Sequence, residues 1–265
     1  MWLKDLFGVD KPVIAMIHFG PLPGSPFYDQ DLKKTLERAS ADARALQRGG
    51  VDGALFSNEG DRPYSFKVGA ETVASAASLV TKVSEELSIP YGVDILWDPF
   101  ATFAVAKATD AKFVRTLLVG SIASDIGLIN INSAEVLKYA RYIKAEGIKR
   151  FAYLNPEFGT SLADRPIESV ARTVDFMSIA DALCVSGPVT GLPLRVEDLK
   201  LAKKGAPQLP VFINTGARKE NISDFLPHAD GVIVGTALKR DGVTWNPVEE
   251  VRVSEFMKTV KKLRK

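Results

Sequence analysis

The sequence predicts an α/β fold built as one single-domain (β/α)8 TIM barrel. Short apolar runs alternate with amphipathic stretches along the whole chain, eight of each. The apolar runs are near-continuous rather than alternating, as parallel strands covered on both faces require. Glycines punctuate the rhythm: Gly49-Gly50, Gly147 and Gly205 follow helical stretches, where C-terminal caps belong. A length of 265 residues is common for one such barrel, and 46% hydrophobic residues suffice to fill its core. A doubly wound open sheet is the alternative. It would normally use fewer strands and place a glycine loop after the first, whereas here the first loop is proline-rich.

Strands are expected at 13–19, 53–58, 91–96, 112–119, 150–155, 182–187, 211–216 and 231–236. Helices are expected at 31–48, 69–87, 99–108, 133–146, 167–178, 196–204, 219–226 and 253–263. Ser133, followed by Glu135 and an apolar run, is the expected cap of the fourth. Residues 1–10 form an N-terminal segment whose Trp2, Leu3, Leu6 and Phe7 are spaced to cover the bottom of a core. The longest connections, 120–132 and 156–166, are expected as loops on the active face. No linker or low-complexity tract divides the chain.

Composition narrows the function. A net charge of +2 gives no electrostatic footprint for nucleic acid. The basic end, 258–265, reads as the last turn of a final helix, where cations suit the dipole. The one cysteine, Cys184, excludes an intrachain disulfide and reads as a packed strand thiol in ALCVSG. No apolar run approaches the ~18 residues of a membrane span, and the N-terminus lacks a signal-peptide pattern. The expectation is a cytoplasmic protein with no transmembrane segment.

Active sites of such barrels lie at the C-terminal strand ends. Strand one ends at His18, just before FGPLPGSP. The prolines fix φ and remove amide donors, so this loop is stiff and cannot extend the strand. Met16 and His18 share one face of that strand. If the face points inward, His18 sits at the rim, opposite the loops of strands seven and eight. Those loops, INTGARKEN and IVGTALK, are both strand–small residue–glycine–helix transitions. Thr215, Gly216, Arg218, Gly235 and Thr236 are therefore candidate phosphate ligands, with Lys239 as a further source of charge. Tight turning into the following helix is the plain alternative.

His18, Asp94, Asp98 and Glu157 are candidate catalytic groups, because three carboxylates and an imidazole suit acid–base work or a divalent metal. Asp98, before Pro99, equally suits a helix cap, and Glu59 and Asp61 read as solvated loop charges. Asn58, Arg115, Asn155, Ser186 and Asn214 are candidate substrate contacts, with Thr190-Gly191 beyond them. Arg115 lies inside a strand and needs a carboxylate such as Asp94 or a ligand anion. No metal-ligand spacing and no dinucleotide fingerprint is present, so no organic cofactor is indicated and any metal is unknown. No strand-end lysine supports a Schiff-base aldolase.

KPVIAMIHFGPLPGSP (11–26), GVDGALFSNEGDRPY (50–64), ADALCVSGPVTGLP (180–193), PVFINTGARKENI (210–222) and ADGVIVGTALKRDGVTWNPV (229–248) give the chain its likeness. It resembles the BtpA family, including its SgcQ-like members, over nearly its whole length. The resemblance implies a barrel of the ribulose-phosphate-binding kind and a phosphate-type site, with no settled reaction. It also departs from the family pattern. Strand two ends in Ser57-Asn58 rather than Glu-Asn. Strand three carries Asp94, Leu96, Trp97, Asp98 and Pro99, and strand five carries Tyr153, Asn155, Glu157 and Phe158 in place of a histidine series.

Two readings follow. One is an enzyme acting on a small phosphorylated molecule, a sugar phosphate or nucleotide-like compound. The other is a non-catalytic assembly or biogenesis factor for a membrane complex that uses the barrel as a scaffold. The apolar loop IGLININ (126–132) also fits contact between copies, a homo-oligomer.

Overall fold

The computed structural model describes residues 2–187 and 194–264. Eight parallel strands close into a barrel: β1 (Val13–His18), β2 (Gly53–Ser57), β3 (Tyr91–Asp94), β4 (Phe113–Thr116), β7 (Lys149–Asn155), β9 (Ala182–Val185), β10 (Val211–Ile213) and β11 (Gly231–Val234). They neighbour one another in that order, and β11 pairs with β1 to close the ring. Register is set by pairs such as His18 with Ser57 and Ser57 with Asp94, which bring the polar ends of the first three strands level.

Alternate residues of each strand face opposite ways. Ile14 and Met16 point into the barrel, where they join Leu55, Phe113, Phe151, Phe212 and Ile233. Ala15 and Ile17 point outward, into the layer beneath the helices. The interior is filled rather than hollow. Phe151 lies 5.0 Å from Phe113 and 4.9 Å from Phe212, centroid to centroid. Burying each such ring contributes roughly 1.5–3 kcal/mol. The N-terminal helix α1 (Trp2–Phe7) closes the bottom, with Leu3 and Phe7 buried against this interior, as its spacing predicts. Cys184 packs there too, and burial pushes its thiol up to about 12, so it is an inert core group.

The outer helices are α2 (Leu32–Gly49), α3 (Ala70–Ser84), α4 (Pro99–Ala108), α5 (Ser133–Tyr142), α6 (Ile167–Phe176), α7 (Val196–Gly205), α8 (Ile222–Phe225) and α9 (Glu250–Leu263). Gly50 ends α2 in the left-handed region at φ 85°, a conformation that favours glycine. Two expectations about helix ends change. The cap of α5 is Asn132, whose side chain accepts from the amides of Ala134 and Glu135, while the Ser133 hydroxyl donates to Leu118 O. That helix stops at Tyr142, so Gly147 caps nothing.

The two long connections are not irregular loops. Their β5 (Ser121–Ser124), β6 (Gly127–Asn130) and β8 (Gly159–Ser161) pair antiparallel in the order β6-β5-β8. Ile122 and Ile129 bury one face against Trp97, Leu117 and Tyr153. Leu128 and Leu162 stay exposed. No helix among the described residues is long and apolar enough to cross a membrane.

Candidate active site

The mouth of the barrel opens into a cavity of about 680 Å³. Its floor is a polar chain that crosses the barrel. Arg115 on β4 donates through Nε to Asp94 Oδ2 at 2.8 Å and through Nη1 to Asn214 Oδ1 at 2.9 Å. The Tyr153 hydroxyl donates to the same Asp94 oxygen at 2.8 Å, and Asn214 Nδ2 donates to the Ser186 hydroxyl at 2.9 Å. All of these side chains are buried. A guanidinium that stays charged needs a counter-charge in such a place, and Asp94 supplies it. The chain thus ties β3, β4 and β7 to the ends of β9 and β10.

Above this floor stand the titratable groups. His18 leaves the end of β1 pointing into the cavity, as the position of Met16 on the same face requires. Its neighbour is β11, so it lies beside the loop of strand eight and not opposite it. An added Cβ on Gly235 would come within 3.2 Å of His18 Cε1. Glu59 is buried at the same wall, with Oε2 3.9 Å from His18 Nε2 and Oε1 accepting from the Tyr64 hydroxyl at 3.1 Å. A separation of 3.9 Å is too long for a hydrogen bond. Burial lowers the imidazole well below the usual histidine range, and Lys239, Arg115 and Arg38 lower it further. Burial raises Glu59 against the pull of Tyr64 and Arg115. With the imidazole held that low, the two do not meet as an ion pair. Glu157 faces the same space, and burial lifts its carboxyl to about 7 despite Arg115.

Buried polar atoms without a protein partner at this end include His18 Nδ1, Trp97 Nε1 and, at the end of β2, Ser57 Oγ; the first two belong to residues of the cavity wall. Trp97 is held by stacking on Tyr153 at 6.1 Å and 15°. Both residues line the cavity, and an unpaired buried donor or acceptor at a cavity wall is what a polar ligand would satisfy. Among the described residues, no group of three or more His, Cys, Asp or Glu side chains is placed to hold a metal ion.

The glycine loops form the next part of the wall. Thr215, Gly216, Arg218, Gly235 and Thr236 all line the cavity. Thr215 Oγ1 accepts from Gly187 N at 2.8 Å, and Thr236 Oγ1 lies 2.9 Å from Thr244 Oγ1. Gly216 has φ 75°, which favours glycine at this turn. The helices behind the loops are shorter than expected: α8 has four residues and a three-residue 3-10 turn follows β11. Backbone approach, rather than a helix dipole, is what these loops offer an anion. Lys239 does not serve there. It is fully buried and donates to Asp42 Oδ2 on α2 at 2.7 Å.

Several expected site residues are structural. Asp98 caps α4, with Oδ1 accepting from Phe100 N and Ala101 N and Oδ2 from Val68 N. It does not line the cavity, nor do Asn58 and Asn155; of the polar chain at the floor, Arg115, Tyr153 and Asn214 line it and Asp94 and Ser186 do not. Asn58 Oδ1 accepts from Leu96 N at 2.7 Å, and Asn155 exchanges two hydrogen bonds with the Ser186 backbone. Thr190 and Gly191 lie outside the described residues.

Glu59 and Asp61, expected in solvent, are buried. Asp61 Oδ1 accepts from Leu22 N at 2.6 Å and Oδ2 from Asn58 Nδ2 at 2.9 Å, which ties the proline loop to the loop of strand two. The two loops press backbone to backbone there. A Cβ on Gly60 would lie 2.4 Å from Gly20 C. Tyr64 and Trp97 complete the wall. Proximity of an aromatic pair to a strand end was the only sequence signal for them.

A protein described as the sgc region protein SgcQ of Escherichia coli K12 is 41% identical over 266 residues, covering 100% of this chain and 99% of that one. The photosystem I biogenesis protein BtpA of Synechocystis sp. PCC 6803 is 34% identical over 98% of this chain and 91% of its own. Among solved structures, thiamine phosphate pyrophosphorylase from Pyrococcus furiosus superposes with a TM-score of 0.58 at 18% identity, covering 98% of each chain, a likeness of fold alone. The model of the BtpA family matches residues 9–262. This chain belongs to the BtpA family.

Proposed function

We propose that the protein is an enzyme acting on a small phosphorylated molecule by acid–base chemistry. One observation carries the reading: a single cavity joins the two glycine loops to His18 and Glu157. The loops would hold the phosphate and fix the rest of the ligand against the inner wall, so that binding also positions it for reaction. At neutral pH His18 is unprotonated and its buried Nδ1 has no protein partner, which suits a proton acceptor. Glu157, lifted to about 7, still carries a proton in a large fraction of molecules and suits a donor. Groups driven apart in this way by one environment are the usual mark of an acid–base pair.

Calorimetric titration with inorganic phosphate and ribose 5-phosphate tests the binding half. Both are expected to compete for one site, and Thr236→Glu should weaken them about ten-fold or more by like-charge repulsion. Absence of binding, or binding indifferent to this change, overturns the reading. For the chemical half, His18→Ala should abolish turnover in a phosphosugar panel while keeping phosphate affinity. Binding without turnover in the wild type would instead favour the scaffold role that the name of the Synechocystis relative brings to mind.

A further inference from the structure

The cavity does not end at the glycine loops. It continues past Gly216 and Gly235, between the 216–220 segment and the first turns of α9, where Lys219, Val251, Arg252, Glu255 and Phe256 line it. The glycine loops thus share one cavity with an inner limb toward the barrel and an outer limb toward α9. The inner limb holds His18, Glu59, Trp97 and Glu157. A site for a terminal phosphate monoester needs only a closed end beyond its anion loops. At about 680 Å³ the whole space lies in the upper half of the range that ligands fill, roughly 300–1,000 Å³.

The outer limb has its own chemistry. Lys219 pairs with Glu255 at 2.9 Å and Arg252 with Glu249 at 2.8 Å, so these two cations are already matched by carboxylates. Glu220 and Asp241 add negative charge at its edge. Val251 is 65% exposed and Phe256 is buried. The Lys219–Glu255 pair spans from loop to helix with both side chains about half exposed. Such a solvent-screened pair holds weakly and yields to an entering group. A second anion would be repelled from this limb, whereas a neutral or cationic group with an apolar face would be accepted.

Resting on the phosphate reading above, we propose that the ligand is a phosphate-bridged compound, a diester or diphosphate diester with one organic group on each side. One group occupies the inner limb beside His18 and the other lies against Val251 in the outer limb. Ribose 5-phosphate, ADP-ribose and UDP-glucose are the probes, titrated calorimetrically into wild type and Val251→Trp. The exposed position of Val251 lets the larger side chain fill the limb without disturbing the core. At least one bridged compound should bind about ten-fold tighter than ribose 5-phosphate, a gap of about 1.4 kcal/mol. Val251→Trp should remove that advantage and leave ribose 5-phosphate affinity unchanged. Equal or weaker binding of both bridged compounds overturns this inference alone, as does an advantage that survives Val251→Trp. Failure of all three to bind overturns the phosphate reading and this inference with it.

Discussion

Glu157 and His18 share a cavity and are driven in opposite directions by one cause. Burial penalises the charged form of each, so the acid rises and the base falls. The consequence for stability has a definite sign. Glu157 titrates near 7 folded against 4.5 for an ordinary glutamate, so the native state binds the extra proton in between. Its contribution is fully present below about pH 4.5 and is lost as pH rises through 7. The size is on the order of 3 kcal/mol. Asp61, raised to about 6 by burial, adds to the same slope. His18, lowered by burial, contributes with the opposite sign below pH 6.5; in urea unfolding between pH 5 and pH 8, Glu157→Gln should therefore lose less stability than the wild type, by most of the Glu157 share. An unchanged slope would mean that Glu157 is solvated. Of this, the sequence showed only that Glu157 ends a strand. Its burial, and that of Glu59, comes with the cavity wall the two share with His18, Tyr64, Trp97 and Arg115, which lie far from Glu157 in the chain.

At the scale of elements, α4 separates a capping role from a catalytic one. Asp98 takes three backbone amides and touches no cavity, and Pro99 stands at the first helical position, where its missing N–H costs nothing. Asp98→Ala should lower stability by about 1–2 kcal/mol in thermal or urea unfolding and leave phosphate affinity as it was. A loss of ligand binding at unchanged stability would return Asp98 to the site. Both roles were open in the local sequence, because Asp before Pro suits a cap and a strand-end acid alike. The strands and helices themselves were legible, since eight apolar runs are local signals, but of the punctuating glycines Gly50 caps a helix while Gly147 does not and Gly205 is the last residue of α7. The small sheet of β5, β6 and β8 was not, because its strands come from two segments about thirty residues apart and pair only once the barrel has formed.

For the whole molecule, closing the ring depends on contacts between its two ends. β11 pairs with β1, and α2 packs on α9. Lys239, just after β11, pairs with Asp42 on α2, and Asp42 also accepts from Val248 N at 2.7 Å. Both side chains of this pair are fully buried. Lys239→Met would leave a buried carboxylate without its partner and should cost about 3–5 kcal/mol. Adding Asp42→Asn should recover part of that loss, since the penalty is chiefly the unpaired charge. A single variant as stable as wild type would show that the pair is not buried in solution. The same closure moves His18 from an expected place across the mouth to one beside Gly235, since the first and last strands of a closed ring are neighbours.

The sequence by itself determined the barrel, the family, the filling of its interior and the two glycine loops. Each of these is written in residues close together in the chain, as apolar runs, turn residues and contiguous motifs. Only the tertiary structure decided which polar groups face the cavity and which are consumed by structure. Asp98, Lys239, Asn58 and Asn155 are bound to backbone or to a counter-charge, while Glu59, Tyr64 and Trp97 join His18, Arg115 and Glu157 at the mouth. The physical reason is that a polar side chain's role is set by its burial and its partners. Those come from strands and loops far apart in sequence, brought level by the register of the barrel.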